Sequence, residues 1–484
     1  AKSRKMASSL LRSARVPGAA FRAARVAPPG RSAVRMMGST RTGPSLAERA
    51  QEMGIQFILV SFDDLFGVSR SKLVPTRVAA EAEESGAGFA GFAAHFDMSP
   101  ADPDMLAMPD ASTLVRLPWA KNMGWVASNL EIRGEEFNQG PRNVLRRVLG
   151  DLSESRGWTL KTGVECEFFL ISPDASELAD TRDVAAKPCY DQSALFRQRG
   201  FVCELNEAME EMGFPPYQTD HEDANGQFEC NWEYDDALKT ADRHSLFKFT
   251  VRCLAEKHGY RSTFMPKPFS HLTGNGCHVH LTLHDEKTGE NIFKQGGDAD
   301  GFGTACLGTT GTQFVAGLLS HAKGICAVTN PTVNSYKRLS APPTASGATW
   351  APNTISWSGN NRSHMIRIPD APRIELRLAD MATNPYLLPA AALSAGMSGV
   401  DAKATPPSPI EANAYDSSAA EVMQSAETLP ENLLDALRAL STDASITAGL
   451  GEECVNALVA LRKAQWADYK AHLTEWEKLH TLDC

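Results

Sequence analysis

The chain has no G-x-x-x-x-G-K-[ST] loop and no G-x-G-x-x-G between a strand and a helix, so neither common glycine-rich phosphate cradle is available to a nucleotide. Its ten cysteines contain no C-x-x-C, which excludes zinc-ribbon and thioredoxin-type spacings and leaves scattered free thiols suited to a reducing compartment. No run of eighteen apolar residues occurs, so no membrane-spanning helix is expected. Acid is missing from residues 1–47, which carry ten Lys and Arg; beyond them 38 basic residues face 58 acidic ones, inside a whole-chain charge of -10. A body this acidic argues against nucleic acid as a partner.

The acid-free segment reads as an organelle transit peptide or disordered leader over residues 1–44: Met6 to about Pro44 is rich in Arg, Ser and Ala. That composition predicts a mitochondrion or a plastid without separating them; a leader that does not target would leave the protein cytoplasmic. The remaining length, with 43% apolar and 22% charged residues overall, suffices for two or three domains. Gln56–Val60 and Ser69–Val74, separated by a turn cluster, predict a hairpin. Thr76–Ser85 then reads as helical, Gly86–Gly91 as a glycine-rich loop, and Met105–Pro109 and Thr113–Leu117 as strands. Arg133–Pro141 reads as a linker, with Pro141 opening a helix.

What is present is a set of acids and imidazoles in short alternating strings: Glu165-Cys166-Glu167, then Glu222 and Glu229, His278-Val279-His280, and Arg373-Ile374-Glu375-Leu376-Arg377. In a strand, residues two apart point the same way, so each string aims two functional groups into one cavity while the middle residue packs behind. Carboxylates with one or two imidazoles suit magnesium or manganese, not structural zinc. Five arginines, Arg338, Arg362, Arg367, Arg373 and Arg377, lie in one stretch, several of them between apolar residues. Their planar forks suit phosphate and carboxylate groups, so a polyanion site is expected.

Asn275-Gly276-Cys277-His278-Val279-His280, Asn330-Pro331 through Leu339, Asn361-Arg362-Ser363, Ile366-Arg367-Ile368-Pro369 and Asn384-Pro385-Tyr386 resemble the glutamine synthetase family in order and spacing, over about residues 55 to 440. The resemblance is nearest to its GlnT-like branch, which includes γ-glutamylmethylamide synthetases. It implies an α+β fold: a small β-grasp-like domain at 45–137, then a catalytic domain at 138–484 with a curved antiparallel sheet. It implies ATP, glutamate and ammonia or a small alkylamine as substrates, two or more Mg²⁺ or Mn²⁺ per site, and a homo-oligomer of stacked rings with shared active sites. By matching motif positions, Glu167, Glu222 and Glu229 would hold one ion, and Glu165, His278 and Glu375 the other. Arg338 and Arg377 match glutamate-binding positions, Gly274 the backbone beside its amino end, and Arg362, Arg367 and Arg373 positions facing phosphates. Arg338, Arg362 and Arg377 are thereby the expected catalytic residues. Tyr234 and His280 match the nucleotide side, although each reads equally as a packed core residue.

The implied reaction phosphorylates the γ-carboxylate, and an amine then displaces phosphate. Water must be kept out, and Ala341–Asn353 is the expected flap. There the sequence departs from the family pattern: the flap acid before Ala-Pro is replaced by Trp350, and a second ammonium-pocket acid by Ala90. Asp97, Asp102 or His95 are candidate replacements. Three readings follow: a glutamate–ammonia ligase, a γ-glutamylalkylamide synthetase with Trp350 at the amine, and a non-catalytic assembly protein on the same scaffold. Tyr415 reads as a plain loop residue.

Overall fold

The structure, a computed structural model, describes residues 43–294, 303–346, 348–369, 371–416 and 419–484. The expected leader therefore lies almost wholly outside the described residues. Helix Leu46–Glu52 begins at Ser45, whose hydroxyl accepts from the Glu48 N–H while the Glu48 carboxylate accepts from Ser45 N–H, a reciprocal cap. Seven strands between residues 57 and 136 form the first sheet. Phe57–Asp63 pairs with Ser69–Pro75 as the expected hairpin and runs parallel to Ala120–Ile132, and helix Ala79–Ser85 lies alongside. A parallel pair beside a hairpin agrees with the β-grasp-like expectation.

Several details differ from the sequence reading. The expected linker Arg133–Pro141 contains a short strand, Glu135–Glu136, paired with Ala120–Ile132, and the strand expected from Thr113 begins at Val115. The Gly86–Gly91 stretch contains a strand, Ala87–Phe89, paired to Met105–Pro109. The 13-residue strand Ala120–Ile132 was not anticipated, because Lys121, Asn122, Gly124 and Asn129 break its apolar alternation. It forms because Gly124–Ser128 is buried throughout, so tertiary contact outweighs local pattern.

The second sheet has nine strands. From edge to edge run Trp357–Ser358, Ile366–Arg367, Ile374–Leu376, Cys277–Asp285, Trp158–Ile171, Gln227–Trp232 and Pro216–His221, while Asp235–Asp236 and Arg261–Thr263 also pair with Trp158–Ile171. Every pairing is antiparallel except the edge contact of Trp357–Ser358 with Ile366–Arg367. The curled, mixed α+β arrangement is the one expected.

Strand alternation separates two faces. Glu165 and Glu167 point one way; Cys166 and Phe168 point the other, toward helix Ala237–Lys257 with its buried Phe247, Val251 and Leu254. Phe168 meets Phe201, Phe228, Phe247 and Phe264 with ring centroids 5.9 to 6.1 Å apart, in edge and tilted geometries. This apolar back face is the rigid footing of the polar front one. Further out, helices Thr309–Ser320 and Leu387–Asp401 touch through glycine: a Cβ on Gly317 would stand 2.2 Å from the Ala395 carbonyl oxygen.

Candidate active site

Strand register assembles the site. His278 lies opposite Glu165, Glu375 opposite His280, Arg367 opposite Glu375, and Glu229 opposite both Glu167 and Asp220. Neighbouring strands are about 4.8 Å apart, so these side chains meet across the front face. Glu165, His278 and Glu375 bring ligand atoms within 4.8 Å of one another, and so do Glu167, Glu229 and His278, and Asp220, Glu222 and Glu229. All six sequence-nominated ligands are thus gathered, with Glu229 and His278 each shared between two groups. Asp220 is an addition. It lies on Pro216–His221 two residues before Glu222, in an Asp220-His221-Glu222 string that the sequence reading passed over, and the register sets it opposite Glu229.

The groups differ in charge balance. Glu165 accepts a 2.8 Å contact from each imidazole, Oε2 with His278 Nδ1 and Oε1 with His280 Nε2. Burial opposes its charge, yet these two contacts hold its carboxyl well below the usual carboxylate range. Glu375 is fully buried; Arg377 donates to its Oε1 at 2.5 Å and Arg367 to its Oε2 at 2.6 Å. Burial again opposes, and Arg377 is the first influence that outweighs it, holding Glu375 at about 2. Glu222 and Glu229 are pushed well above the ordinary value, first by burial and then by neighbouring carboxylates, and Asp220 rises to about 6 for the same reasons.

The residues present fit a divalent cation. Three mutually repelling acids are buried or half-buried together. Nε2 of His278 is a buried atom with no hydrogen-bond partner, as is Oδ1 of Asp220. A Cβ on Gly276 would meet Glu167 Oε1 and Arg338 Nη2 at 2.9 Å and His278 Nε2 at 3.0 Å, so the missing side chain keeps open a space walled by polar ends. Oxygen-rich donors with one imidazole suit magnesium or manganese.

The arginines divide. Arg338 and Arg377 are buried, and Arg338 Nη1 donates to the Leu378 carbonyl at 3.1 Å. Arg367 is anchored by Asn360 as well as Glu375, while Arg377 Nε donates to the Arg362 carbonyl at 3.1 Å. Arg373 Nε donates to His280 Nδ1 at 3.2 Å, so His280 bridges Glu165 and an arginine instead of packing in a core. The Arg362 side chain is exposed. A cavity of about 400 Å³ opens beside this end of the sheet, lined among others by Lys161, Gly163, Tyr217, Tyr234, His280 and Arg373. Its size suits a small ligand. Tyr234 is 54% exposed there, which rules out the packed-core reading.

Around the flap, Gly274 leaves no room for a side chain: a Cβ would lie 2.2 Å from the Pro266 carbonyl oxygen and 3.2 Å from Arg338 Cγ. Trp350 is half-buried, its indole N–H has no partner, and its φ of 54 is in the left-handed region. Such strain in a non-glycine residue concentrates at functional sites. Tyr190 shares that feature, with φ 64, and lies near Glu222 and Asp220. Tyr415, read from sequence as a plain loop residue, lies against Thr349, Trp350, Arg338 and Arg377 with its hydroxyl buried. Neither tyrosine carries a local sequence signal; long-range packing brings them in. Ala90 is exposed, directly after strand Ala87–Phe89, and does not line this cavity. Of its candidate substitutes, His95 is tied to Asp64 at 2.9 Å and stacked on Phe66, Asp102 accepts from Ser99, and Asp97 is exposed.

A family profile described as "Glutamine synthetase, catalytic domain" matches residues 138–480. The chain belongs to the glutamine synthetase family. It is 50% identical over 438 residues to a glutamine synthetase of Rhizobium meliloti, covering 90% of this chain and 99% of that one. It is 40% identical over 440 residues to a glutamate–methylamine ligase of Methyloversatilis universalis, covering 90% and 98%. Among solved structures, GmaS in complex with ADP superposes with a TM-score of 0.86 at 53% identity, covering 91% of this chain and all of that one. The chain is an ATP-dependent ligase, which sets aside the non-catalytic reading. The family also implies a divalent metal, in keeping with the grouped carboxylates.

The organelle expectation is corrected by the same comparisons. These relatives are bacterial, and nothing in them points to a mitochondrion or plastid. The Arg- and Ser-rich composition that suggested targeting is shared by any basic leader. Among the described residues no helix is long and apolar enough to cross a membrane.

Proposed function

We propose that this ligase joins a small primary alkylamine, of the size of methylamine, to the γ-carboxylate of glutamate through a γ-glutamyl phosphate. The observation that carries the reading is Trp350. Where an ammonium-using flap presents a carboxylate, this chain presents a half-buried indole with an unpartnered N–H, next to the buried hydroxyl of Tyr415. An ammonium ion losing carboxylate partners forfeits ~1.5–3 kcal/mol for each. An alkylamine gains instead an apolar wall and cation–π attraction from the indole. The 53% identical GmaS, a γ-glutamylmethylamide synthetase, and the methylamine ligase relative support the same choice.

In this account ATP enters the cavity beside Tyr234, His280 and Arg373, with its phosphates toward Glu165, His278 and Glu375. Glutamate lies over Gly274 and Gly276, its carboxylates held by Arg338 and Arg377. Arg362 and Arg367 face the transferring phosphoryl group, Arg367 having donors left over after Glu375 and Asn360 are served. Two divalent cations, one held by Glu165, His278 and Glu375 and the other by Glu167, Glu222 and Glu229, would supply charge neutralisation for phosphoryl transfer when bound. The flap Ala341–Asn353 closes over the acyl phosphate and keeps water out. We further assign residues 45–137 to a small domain and 138–484 to the catalytic one. Stacked rings, in which the small sheet of one subunit completes the site of the next, would give exposed Ala90 its place.

Ammonia as the acceptor is the second reading, favoured by the Rhizobium relatives named glutamine synthetase at 50% and 49% identity. Phosphate release with ATP, Mg²⁺, glutamate and ammonium, methylamine or ethylamine separates the two. A kcat/KM for an alkylamine about tenfold or more above that for ammonium supports the proposal; a value for ammonium equal to or above the alkylamines overturns it.

A further inference from the structure

Asp223, beside the ligand Glu222, is nearly buried and joins three segments far apart in sequence. Its Oδ2 accepts from the Thr273 hydroxyl at 2.5 Å and from the Ser346 hydroxyl at 2.9 Å. Its own N–H donates to Glu222 Oε2 at 2.8 Å, orienting that carboxylate. Thr273 leads into Gly274, whose carbonyl accepts from Gln227 Nε2 at 3.1 Å, and the same nitrogen donates to Glu167 Oε2 at 3.0 Å. Ser346 belongs to the flap. Two other flap hydroxyls bond to carbonyls of the flap itself, Thr344 to Ala348 and Thr349 to Ala351. The Ser346 hydroxyl meets the Thr344 hydroxyl at 2.9 Å inside the flap and, in addition, reaches out to the body.

We propose that Asp223 is a positioning residue that latches the closed flap, through Ser346, to the loop carrying Glu222 and to the turn carrying Gly274. The inference rests on the ligase reading above. A hydroxyl-to-carboxylate bond is charge-assisted, stronger than a neutral one. It is also easily released, because Asp223 keeps Thr273 when the flap lifts. With the latch shut, only the amine nitrogen reaches the γ-carbonyl carbon: its C–N bond forms, the C–O bond to phosphate breaks, and a proton leaves the amine. With the latch lost, water attacks the same carbon, and the products are glutamate and phosphate with no amide.

The test is the ratio of phosphate released to amide formed, measured on the full chain with whichever amine gives the highest rate. It is therefore indifferent to whether that amine is methylamine or ammonia. Wild type is expected near one to one. Ser346→Ala should raise amine-independent phosphate release by about tenfold, the effect of losing one such bond. It should also raise the amine KM several-fold, leave the ATP KM within about twofold, and show a melting temperature near wild type. Ser346→Thr, which keeps the hydroxyl, should restore tight coupling. Asp223→Asn should uncouple as well, and adding Ser346→Ala to it should add little. A Ser346→Ala enzyme that stays folded, active and coupled one to one overturns the latch. A chain that makes no amide with any amine overturns the ligase reading instead.

Discussion

The two ends of the front face hold the same kind of residue in opposite electrical states. At one end Glu165 accepts from His278 and His280 and Glu375 from Arg367 and Arg377, so both carboxyls are held low by donors the protein itself supplies. At the other, Asp220, Glu222 and Glu229 crowd together with no arginine or lysine ion-paired to them among the described residues, and all three are pushed upward. The first group is pre-organised and electrically near completion. The second carries uncompensated buried charge, and a metal ion is what would relieve it.

Breaking the first group should cost most. Glu375→Ala would strand two buried guanidinium groups, and removing one partner of a buried pair destabilises by ~3–5 kcal/mol. Denaturant unfolding should show that loss, with ligase activity down by about a thousandfold or more. Glu229→Gln should do the reverse to the metal-free protein: relieving carboxylate repulsion, it should leave unfolding stability unchanged or raised while abolishing the stabilisation that Mn²⁺ gives wild type. An equal loss of stability in both variants would erase the contrast.

The pH dependence sharpens it further. Asp220 has a folded value near 6 against an ordinary 3.8, so its contribution favours the folded state at low pH and is lost as pH rises through about 6. Metal binding requires the deprotonated acids, so the Mn²⁺-induced rise in melting temperature should grow from pH 5.5 to 7.5. Glu375 has the opposite sign: its stabilisation is present above its ordinary value, 4.5, and lost only as pH falls through about 2, so it should not vary across that window. A metal-induced shift that is flat from pH 5.5 to 7.5 would show that the second group is not the one that titrates.

Smaller effects belong to the rims. Trp350→Glu should restore an anionic partner for ammonium and move the alkylamine-to-ammonium ratio of kcat/KM toward ammonium by about tenfold, one hydrogen bond to a charged group being worth ~1.5–3 kcal/mol. Tyr234→Ala should raise the ATP KM about fivefold, corresponding to ~1 kcal/mol of lost base stacking, with the amine KM unaffected.

The alternating strings were legible because strand geometry allows only one outcome: Glu165 with Glu167, and His278 with His280, must share a face. The apolar residues between them, Cys166 and Val279, then mark the packed side. Asp220 was legible by the same alternation, two residues before Glu222, and was passed over; its pairing with Glu229 depends on which strand lies beside Gln227–Trp232 and in what register. Tyr190 and Tyr415 were hidden. Their positions come from loops folded back over the sheet, and the φ of Tyr190 is a property of the folded chain only. The strand Ala120–Ile132 was missed because burial on both faces replaces the half-buried alternation that sequence reading relies on.

The proposed chemistry is tested most directly by letting two amines compete in one reaction. Wild-type protein is given ATP, Mg²⁺, glutamate and equimolar ammonium and methylamine, and the products are resolved by mass. The account predicts γ-glutamylmethylamide in excess over glutamine by about tenfold or more. Glutamine as the main product would contradict it and return Trp350 to the role of a packing residue in the flap.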